Sequence, residues 1–350
     1  MEGRGGQKWT QELPDVEKSK VDHNIVPVHD MLMRRRSPST FRVIKARHNS
    51  TTPVPSSYNE SPETLREKMR GKVPKHQALL LLYTRMPAKE WPSDIKNLSQ
   101  IYQTALLHQS MFQGQTLMCH PGSTGFHETT TWMAAHGSDD RQPFSATFFS
   151  KFMEPLNIDK LRVHEMDKWA RLFHERVQDG VILENMMHCP EQARSVVRSA
   201  FKSQETQRGS FLLKKLWILV CTHAARDCRC GQHGAEVIHE FRQEVQRRNL
   251  QERINIGEVS HVGGHAFAAN VLVYPYGDWY GTMRLEHVSP FLDSLLGVEE
   301  QGSLTGPQSL LWRGSWFDVR GELNEYPSQQ KQQEVAKEWG MDLDAITRGD

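Results

Sequence analysis

Two cysteines and two histidines in the second half of the chain have the residue types and the spacing of a metal site. They are Cys221 and Cys230 in the run CTHAARDCRCG, and His261 and His265 in the run HVGGH. Two thiolates and two imidazoles are the donors of a [2Fe-2S] cluster with mixed ligands, and equally of a tetrahedral zinc ion. The functional interpretation of the chain depends on which metal these residues bind.

The spacing of the four residues is wide. Eight residues separate Cys221 from Cys230, and thirty more separate Cys230 from His261. Zinc fingers place paired cysteines about two to four residues apart, because one tight turn then holds one ion. A binuclear cluster is larger, so one segment can hold one iron through sulfur while a distant segment holds the other through nitrogen. The spacing therefore favours the cluster over zinc.

The residues around the cysteines predict a strand, a polar loop and a helix. Residues 216–220 form an apolar run that predicts a buried strand ending at Cys221. The loop CTHAARDCRCG carries Arg226 and Arg229, cations that would offset the charge of thiolates and sulfides and raise the reduction potential. Residues 235–246 have apolar side chains at helical spacing, so a helix is expected to pack on the strand.

The histidines lie on either side of two glycines. Gly263 and Gly264 can adopt backbone angles that other residues avoid, which lets a loop fold tightly enough for both imidazoles to converge. Two consecutive glycines disfavour a helix at this position. The sequence that follows predicts strands interrupted by a turn at Gly277 and Asp278.

These motifs resemble those of the sucrase/ferredoxin-like family of thioredoxin-like ferredoxins. The hallmark of that family is a cysteine, eight residues, a second cysteine, a variable gap and His-x-Gly-Gly-His, which this chain supplies from Cys221 to His265. Arg226, Asp227 and Gly231 around the second cysteine, the run HAFAANVLVYP and the run LWRG also match. The resemblance covers about residues 211–314.

The resemblance implies a thioredoxin-like α/β fold and a [2Fe-2S] cluster. One iron would be bound by Cys221 and Cys230, and the other by His261 and His265. The surrounding side chains and glycines expected to support the ligands are His223, Arg226, Asp227, Arg229, Gly263, Gly264, Trp312 and Arg313.

Other ligand sets and other roles for the cysteines remain alternatives. Cys221-Thr-His223 and Cys230-Gly-Gln-His233 spell the two boxes of a Rieske centre, but the stretch between them is shorter than in Rieske proteins. Cys228 is a third thiol in the loop and a candidate redox partner of Cys230, although thiols at this spacing rarely meet without strain.

The remaining two cysteines, Cys119 and Cys189, have no partner at motif spacing. Each is predicted to be an isolated buried thiol.

Length and composition limit the classes of protein. A chain of 350 residues with 37% hydrophobic residues is long enough for two domains, and its net charge of +1 gives no field that would recruit nucleic acid or an anionic membrane. No apolar run approaches the length of a membrane span. Five cysteines, an odd number without a secretory signal, indicate a reducing compartment.

The first 73 residues are predicted to be a disordered leader. Residues 31–59 contain six Lys or Arg, many Ser and Thr, and no acid, which is typical of a mitochondrial presequence. Six acids precede this segment, so we expect productive translation to begin at Met31 or Met33. The predicted location is the mitochondrial matrix, or the cytoplasm if residues 31–59 are not a presequence.

Three further regions follow the leader. Residues 74–210 predict a divergent α/β domain, for which the resemblance allows a degenerate thioredoxin-like unit; residues 211–323 form the ferredoxin domain, and residues 324–350 a polar tail with a solvated helix. The first domain is expected to contain a strand near residues 75–85, a helix over 92–109, and a helix over 167–183 that runs toward a strand. Residues 120–143 are expected to form a surface loop that approaches the cluster.

The sequence thus predicts a one-electron carrier rather than a substrate-converting enzyme. Its partners would be redox proteins or small redox-active molecules. Mixed His/Cys clusters have reduction potentials of about −150 to +300 mV, and the lower part of that range is expected here because the loops are polar. The alternatives are a thiol-disulfide oxidoreductase that uses Cys228 with Cys230 or Cys221, and a structural zinc module for protein interaction. No nucleotide-binding motif and no carboxylate pair of a glycosidase is recognised.

Overall fold

Nine strands of the described residues form one mixed sheet. We describe the protein from a computed structural model, for residues 61–122, 143–187, 189–197, 215–297, 305–323 and 327–338. The strands are β1 (Ala78–Tyr83), β2 (Gly114–His120), β3 (Phe144–Ser150), β4 (Leu156–Leu161), β5 (Leu216–Cys221), β6 (Ile254–Val259), β7 (Val271–Tyr274), β8 (Asp278–Tyr280) and β9 (Trp312–Ser315). Their order across the sheet is β4-β3-β1-β2-β6-β5-β7-β8-β9. The α-helices are α1 (Pro62–Met69), α2 (Gln100–His108), α3 (Met166–Met186), α4 (190–197), α5 (Cys228–Arg247), α6 (Leu285–Leu296) and α7 (Gln329–Glu338).

The same motif occurs in both halves of the sheet. Strands β1 and β2 are parallel and joined through α2, and the antiparallel strands β3 and β4 follow, with α3 after them. Strands β5 and β6 are likewise parallel and joined through α5, followed by antiparallel β7 and β8 and by α6. This order, with the second strand at one edge and the hairpin at the other, is thioredoxin-like. The predicted α/β fold class is confirmed, and the first half has the degenerate thioredoxin-like unit that the resemblance allowed.

The two halves meet edge to edge through a short antiparallel pairing of β2 with β6. Cys119 lies opposite Val259, and His120 lies opposite Glu258. The predicted regions 74–210 and 211–323 therefore each contribute strands to one continuous sheet. The exact division between them falls in residues outside the described part of the chain and stays a prediction.

Alternate side chains of the buried strands face opposite sides of the sheet, as strand geometry requires. On one side, Leu79 and Leu81 of β1 share a buried cluster with Trp217 and Leu219 of β5, so this core is common to both halves. On the other side, each half has a cluster of its own. The site residue Cys221 is part of the common core.

Several predicted elements of the first half and the tail are confirmed or corrected. The predicted strand is β1, whereas the helix expected over 92–109 is a 3₁₀ turn at Ile95–Leu98 followed by α2. The helix expected over 167–183 is confirmed as α3, which continues to Met186. The helix α7 exists, but it is not fully solvated, since Val335 and Ala336 are buried.

The predicted disordered leader of 73 residues is too long, because Pro62–Met69 form α1 and Met69 is buried. Other predictions lie outside the described residues. These are the presequence-like segment 31–59 and nearly all of the loop 120–143. Among the helices that the structure describes, none is long and apolar enough to cross a membrane.

Candidate metal centre

Cys221 is the last residue of β5, where it is fully buried. The strand forms because all six of its side chains are apolar or thiol-bearing and all six are buried, as expected for a strand covered on both faces. The Cys221 N–H donates to the carbonyl oxygen of Asn270, just before β7, at 3.0 Å. The predicted position of this cysteine at a strand end is confirmed.

Cys230 lies in the first turn of α5, not in a loop. The predicted helix began at residue 235, but α5 begins at Cys228 because Asp227 caps it, accepting the Arg229 N–H at 3.0 Å. The polar loop predicted for the run CTHAARDCRCG therefore ends at Asp227. Helix N-termini favour negative charge, but the neighbouring sulfur of Cys221 and burial outweigh this effect at Cys230, whose pKa is raised.

The start of α5 packs closely on the loop that precedes it. A Cβ at Gly234 would lie 2.2 Å from the Cys221 carbonyl oxygen, and one at Gly231 would lie 2.4 Å from Cβ of Ala224. Larger residues at these two positions would push α5 away from β5. The close approach brings Cys230, which is also fully buried, next to Cys221.

His261 completes a group of three donor residues. Its Nδ1 lies 4.0 Å from the sulfur of Cys221 and 3.8 Å from the sulfur of Cys230. Ligand atoms of the three residues lie within 4.8 Å of one another, which is close enough to share a metal centre. Within the described residues, this is the one such group that includes a cysteine.

His265 lies beside this group but is not part of it. Its ring centroid is 5.9 Å from that of His261, with the ring planes inclined by 25°. Its side chain is 51% exposed, and its Nδ1 is 3.6 Å from Oδ2 of Asp227. The two imidazoles therefore stand side by side, one inside the group of donors and one at its solvent side.

The loop between the histidines has the backbone that its glycines predicted. Gly263 and Gly264 have φ angles of +79° and +64°, in the region that other residues rarely adopt, and a 3₁₀ turn over His265–Phe267 follows. Hydrogen bonds from the Asn270 side chain hold this loop. Its Nδ2 donates to the carbonyl oxygen of Gly264 at 3.1 Å.

A buried arginine holds Asn270 in turn. Arg313 of β9 donates from Nη1 to Asn270 Oδ1 at 2.6 Å, and from Nη2 to the carbonyl oxygen of Lys72. Its guanidinium carbon lies 5.4 Å from the ring centroid of Phe267 and 5.7 Å from that of Trp279. The arginine thus ties the histidine loop to β9 and to the chain segment after α1.

The pKa values of the two thiols are shifted in opposite directions. Hydrogen bonding to Cys230, to His261 and to the Val262 backbone holds the pKa of Cys221 well below its usual range despite burial. Hydrogen bonding to Cys221 and burial raise the pKa of Cys230. Each thiol thus affects the ionisation of the other, because the two sulfurs share a hydrogen bond.

Arg313 is a buried cation whose pKa responds to the charge of the two sulfurs. Burial lowers the pKa of Arg313 to about 10, while the charges of Cys221 and Cys230 act to raise it. It stays protonated at neutral pH, so it opposes the negative charge of the two sulfurs.

The other residues that were predicted to support the ligands make different contacts. Asp227 bonds the guanidinium of Arg229 at 2.9 and 3.0 Å, whereas the side chain of Arg226 is exposed. His223 does not bond a ligand residue; it contacts the first half, with Nε2 2.8 Å from the Pro92 carbonyl oxygen. Trp312 is buried in β9 against Tyr280.

The alternative ligands do not join the group of donors. Neither His223 nor His233 is among the three convergent residues, and His233 lies next to Glu236 in α5 instead. The thiol of Cys228 is exposed, whereas that of Cys230 is buried. Cys119 is buried as predicted, but the prediction for Cys189 is wrong, because that residue is exposed.

Asn270 is the site residue that sequence reasoning missed. It is fully buried, and it links the cysteine strand to the histidine loop. The run HAFAANVLVYP matched the family as a whole. Within this run, a polar residue directly before a hydrophobic strand was the signal that could have identified Asn270. A buried amide at that position needs hydrogen-bond partners, so it predicts a structural contact.

The donor set suits an iron-sulfur cluster in its chemistry. Two buried sulfurs and one imidazole converge, and the second imidazole stands beside the first. Sulfur and nitrogen donors of this kind also suit zinc.

A thioredoxin-like sheet with paired cysteines at a strand end and a helix start, facing two histidines, defines a candidate metal-binding or redox module. The sequence model of the family described as "Sucrase/ferredoxin-like" matches residues 69–314, which is more than half of the chain. The chain belongs to this family.

Curated relatives share parts of the sequence. A protein named "Altered inheritance of mitochondria protein 32" from Saccharomyces kudriavzevii is 45% identical over 143 residues, covering 40% of this chain and 42% of that protein. The protein of the same name from Meyerozyma guilliermondii is 38% identical over 82 residues, covering 23% of this chain and 29% of that protein. The matched segments thus span less than half the length of these two relatives.

Solved structures with some likeness include the thioredoxin-like [2Fe-2S] ferredoxin from Aquifex aeolicus. One crystal structure of a cysteine-to-serine variant is 23% identical and covers 24% of this chain and 90% of that chain, with a TM-score of 0.22. A second structure of the ferredoxin is 20% identical, with a TM-score of 0.21.

Proposed function

We propose that the protein is a one-electron carrier with a [2Fe-2S] cluster bound by Cys221, Cys230, His261 and His265. The observation that carries this proposal is the convergence of two buried thiols with one imidazole, and of a second imidazole beside it. When bound, such a cluster accepts and donates single electrons. Membership of the sucrase/ferredoxin-like family supports the proposal.

The surrounding residues would set the reduction potential of the cluster and the side from which redox partners reach it. Neutral imidazoles in place of two thiolates reduce the negative charge and favour the reduced state, and Arg313 adds a buried positive charge nearby. The sulfurs are shielded in the core, whereas His265 is exposed at the surface. Electrons would therefore be exchanged at the histidine side.

Iron and sulfide analysis of protein purified without oxygen tests the proposal. We expect two irons and two acid-labile sulfides per chain, and a coloured protein. His261→Ala and His265→Ala should both lower the iron content, whereas His239→Ala, on the exposed side of α5, should leave it unchanged. An iron content that is the same in His265→Ala as in the wild type would refute the four-ligand cluster.

A zinc site is a second candidate, favoured by the compact group of three donors. Donor atoms within 4.8 Å of one another fit a single ion, with water or His265 as the fourth ligand. One zinc per chain, no iron and a colourless protein would support this alternative.

A thiol-disulfide oxidoreductase is a third candidate, favoured by the hydrogen-bonded pair Cys221 and Cys230. The lowered pKa of Cys221 would provide a thiolate at neutral pH. The pair is buried, so a disulfide substrate has poor access. Disulfide reduction by metal-free protein, lost in Cys221→Ser and kept in Cys228→Ser, would support this alternative over the cluster.

We propose the mitochondrial matrix as the site of action. The names of the curated relatives refer to mitochondria, and residues 31–59 have the composition of a presequence. Mapping the amino terminus of the mature protein from purified mitochondria tests this proposal. Cleavage after Met31 is expected, and a mature end before Met31 would contradict it.

A further inference from the structure

A cavity of about 500 Å³ lies against the loop that joins the two histidines. One wall is the chain segment 71–74, which follows α1, and the opposite wall is formed by residues 262–264 and Phe267. Arg313 completes the lining. Pockets of about 300–1,000 Å³ are the usual size for small organic ligands.

The lining combines an apolar surface with positive charge. Val73, Val262 and Phe267 are apolar, while Lys72 and Arg313 are cations. Among the described residues that line the cavity, none is acidic. Such a lining favours an organic ligand with a negative charge over a cation or a neutral sugar.

Gly263 of the histidine loop leaves part of this wall without a side chain. A Cβ at Gly263 would meet no atom within 4 Å, so open space adjoins the peptide at that residue. A flat ring can therefore lie directly against the backbone, next to Phe267.

Arg313 makes hydrogen bonds with only some of its nitrogens. Its side chain is 99% buried by contacts, and two of its nitrogens donate to Asn270 and Lys72. Its Nε is buried and has no hydrogen-bond acceptor among the described residues. The two hydrogen-bond partners of Arg313 are neutral, so its positive charge is not offset by them and makes this wall of the cavity positive.

We infer that this cavity binds a small organic anion with a flat apolar body. Lys72 and Arg313 would attract its acidic group, and Val73, Phe267 and the glycine backbone would contact its ring. The inference deepens the proposed function, because it names the chemical class of a small redox partner that would reach the metal centre. The redox role of this ligand rests on the proposed function, whereas its binding to the cavity does not.

Calorimetric titration of the full chain with naphthalene-2-sulfonate tests the inference. Methanesulfonate serves as a probe with the acidic group alone, and 2-naphthalenemethanol as a probe with the ring alone. Amide spectra of protein labelled on glycine locate the site through Gly263 and Gly264. The metal content of each sample is measured in parallel.

Lys72→Glu and Lys75→Glu form a matched pair of variants. Both lysines are exposed, but only Lys72 lines the cavity. We expect Lys72→Glu to weaken binding of naphthalene-2-sulfonate about fivefold, as for an exposed charge contact, and Lys75→Glu to change it by less than about twofold. We expect both single-feature probes to bind more weakly than the complete one.

The inference would be overturned if naphthalene-2-sulfonate did not bind at millimolar concentration, if both lysine variants weakened its binding equally, or if methanesulfonate bound with the same affinity. Unshifted signals of Gly263 and Gly264 in the presence of bound probe would also overturn it. Binding to a chain that contains no iron would support the inference while the cluster proposal fails. An iron-loaded chain that does not bind naphthalene-2-sulfonate would support the cluster proposal while the inference about the cavity fails.

Discussion

Asn270 and Arg313 form a buried hydrogen bond that connects the two sides of the metal centre. Arg313 Nη1 donates to Asn270 Oδ1 at 2.6 Å. The Asn270 carbonyl accepts the N–H of Cys221, and its amide donates to the Gly264 carbonyl. One residue therefore fixes the position of a sulfur donor relative to the histidine loop, and the arginine fixes that residue.

Asn270→Ala should loosen the histidine loop. It leaves the Gly264 carbonyl and a donor of Arg313 without their partner, which costs about 1–3 kcal/mol of unfolding free energy for a buried group. Urea unfolding and the metal content after dialysis measure the effect, and both should fall. Asn185→Ala, which removes a bond on the exposed side of α3, is the control. Unchanged metal retention in Asn270→Ala would show that the contact does not position the ligands.

Arg313→Met should lower the reduction potential of the proposed cluster. Removal of a buried positive charge disfavours the added electron, and a tenfold change in the equilibrium corresponds to about 59 mV for one electron. Arg313→Lys keeps the charge and should shift the potential less. Redox titration followed by visible absorption gives the values.

Arg194→Met is the matched control for the arginine variants. Arg194 is also buried, but it pairs with Asp318 and Glu191 away from the thiols. A potential that falls equally in Arg194→Met would indicate a general effect of lost packing rather than the charge of Arg313.

Gly264→Ala should destabilise the protein more than Gly263→Ala. Both residues have positive φ, so either substitution costs about 1–2 kcal/mol of backbone strain. Only the Cβ at Gly264 would also collide with Arg313, at 2.3 Å from Nη2. Thermal unfolding of the two variants gives the comparison. Equal losses would mean that the arginine moves away without cost.

His76 should make the stability depend on pH between about 4 and 6.5. Burial lowers the pKa of His76 to about 4, against an ordinary value of 6.5, with the charge of Lys151 acting in the same direction. The unfolded chain then binds more protons than the folded chain, so stability falls as the pH falls through this window. The loss attributable to this group is about 3 kcal/mol at pH 4.

The comparison of the wild type with His76→Gln isolates this effect. His76 lies 2.9 Å from the hydroxyl of Tyr274, a bond that glutamine can in part replace. The stability advantage of the wild type over His76→Gln should be largest at pH 7 and should shrink towards pH 4. An advantage that stays constant over this range would contradict the buried neutral histidine.

The ligand motifs and the local strands were predictable because their signals are local. The apolar run before Cys221 and the glycines between His261 and His265 each fix the backbone over a few residues. The start of α5 was missed because capping by Asp227 outweighs the low helix propensity of Gly231.

The long-range contacts were not predictable. The pairing of β2 with β6 involves two pairs of residues far apart in the chain, and neither strand has a pattern that names its neighbour. The same holds for Asn270 with Arg313, which are 43 residues apart. Only the folded structure shows that one residue, Asn270, bonds the cysteine strand through its backbone carbonyl and the histidine loop through its side chain.

The central claim is that two sulfurs and two imidazole nitrogens bind one diiron cluster. Pulsed electron paramagnetic resonance of reduced protein, labelled with ¹⁵N-histidine, tests it most directly. The account predicts a spin-one-half cluster signal coupled to two histidine nitrogens, with one coupling lost in His261→Cys and one in His265→Cys. A sample without a cluster signal, or a signal coupled to fewer than two histidine nitrogens, would contradict it.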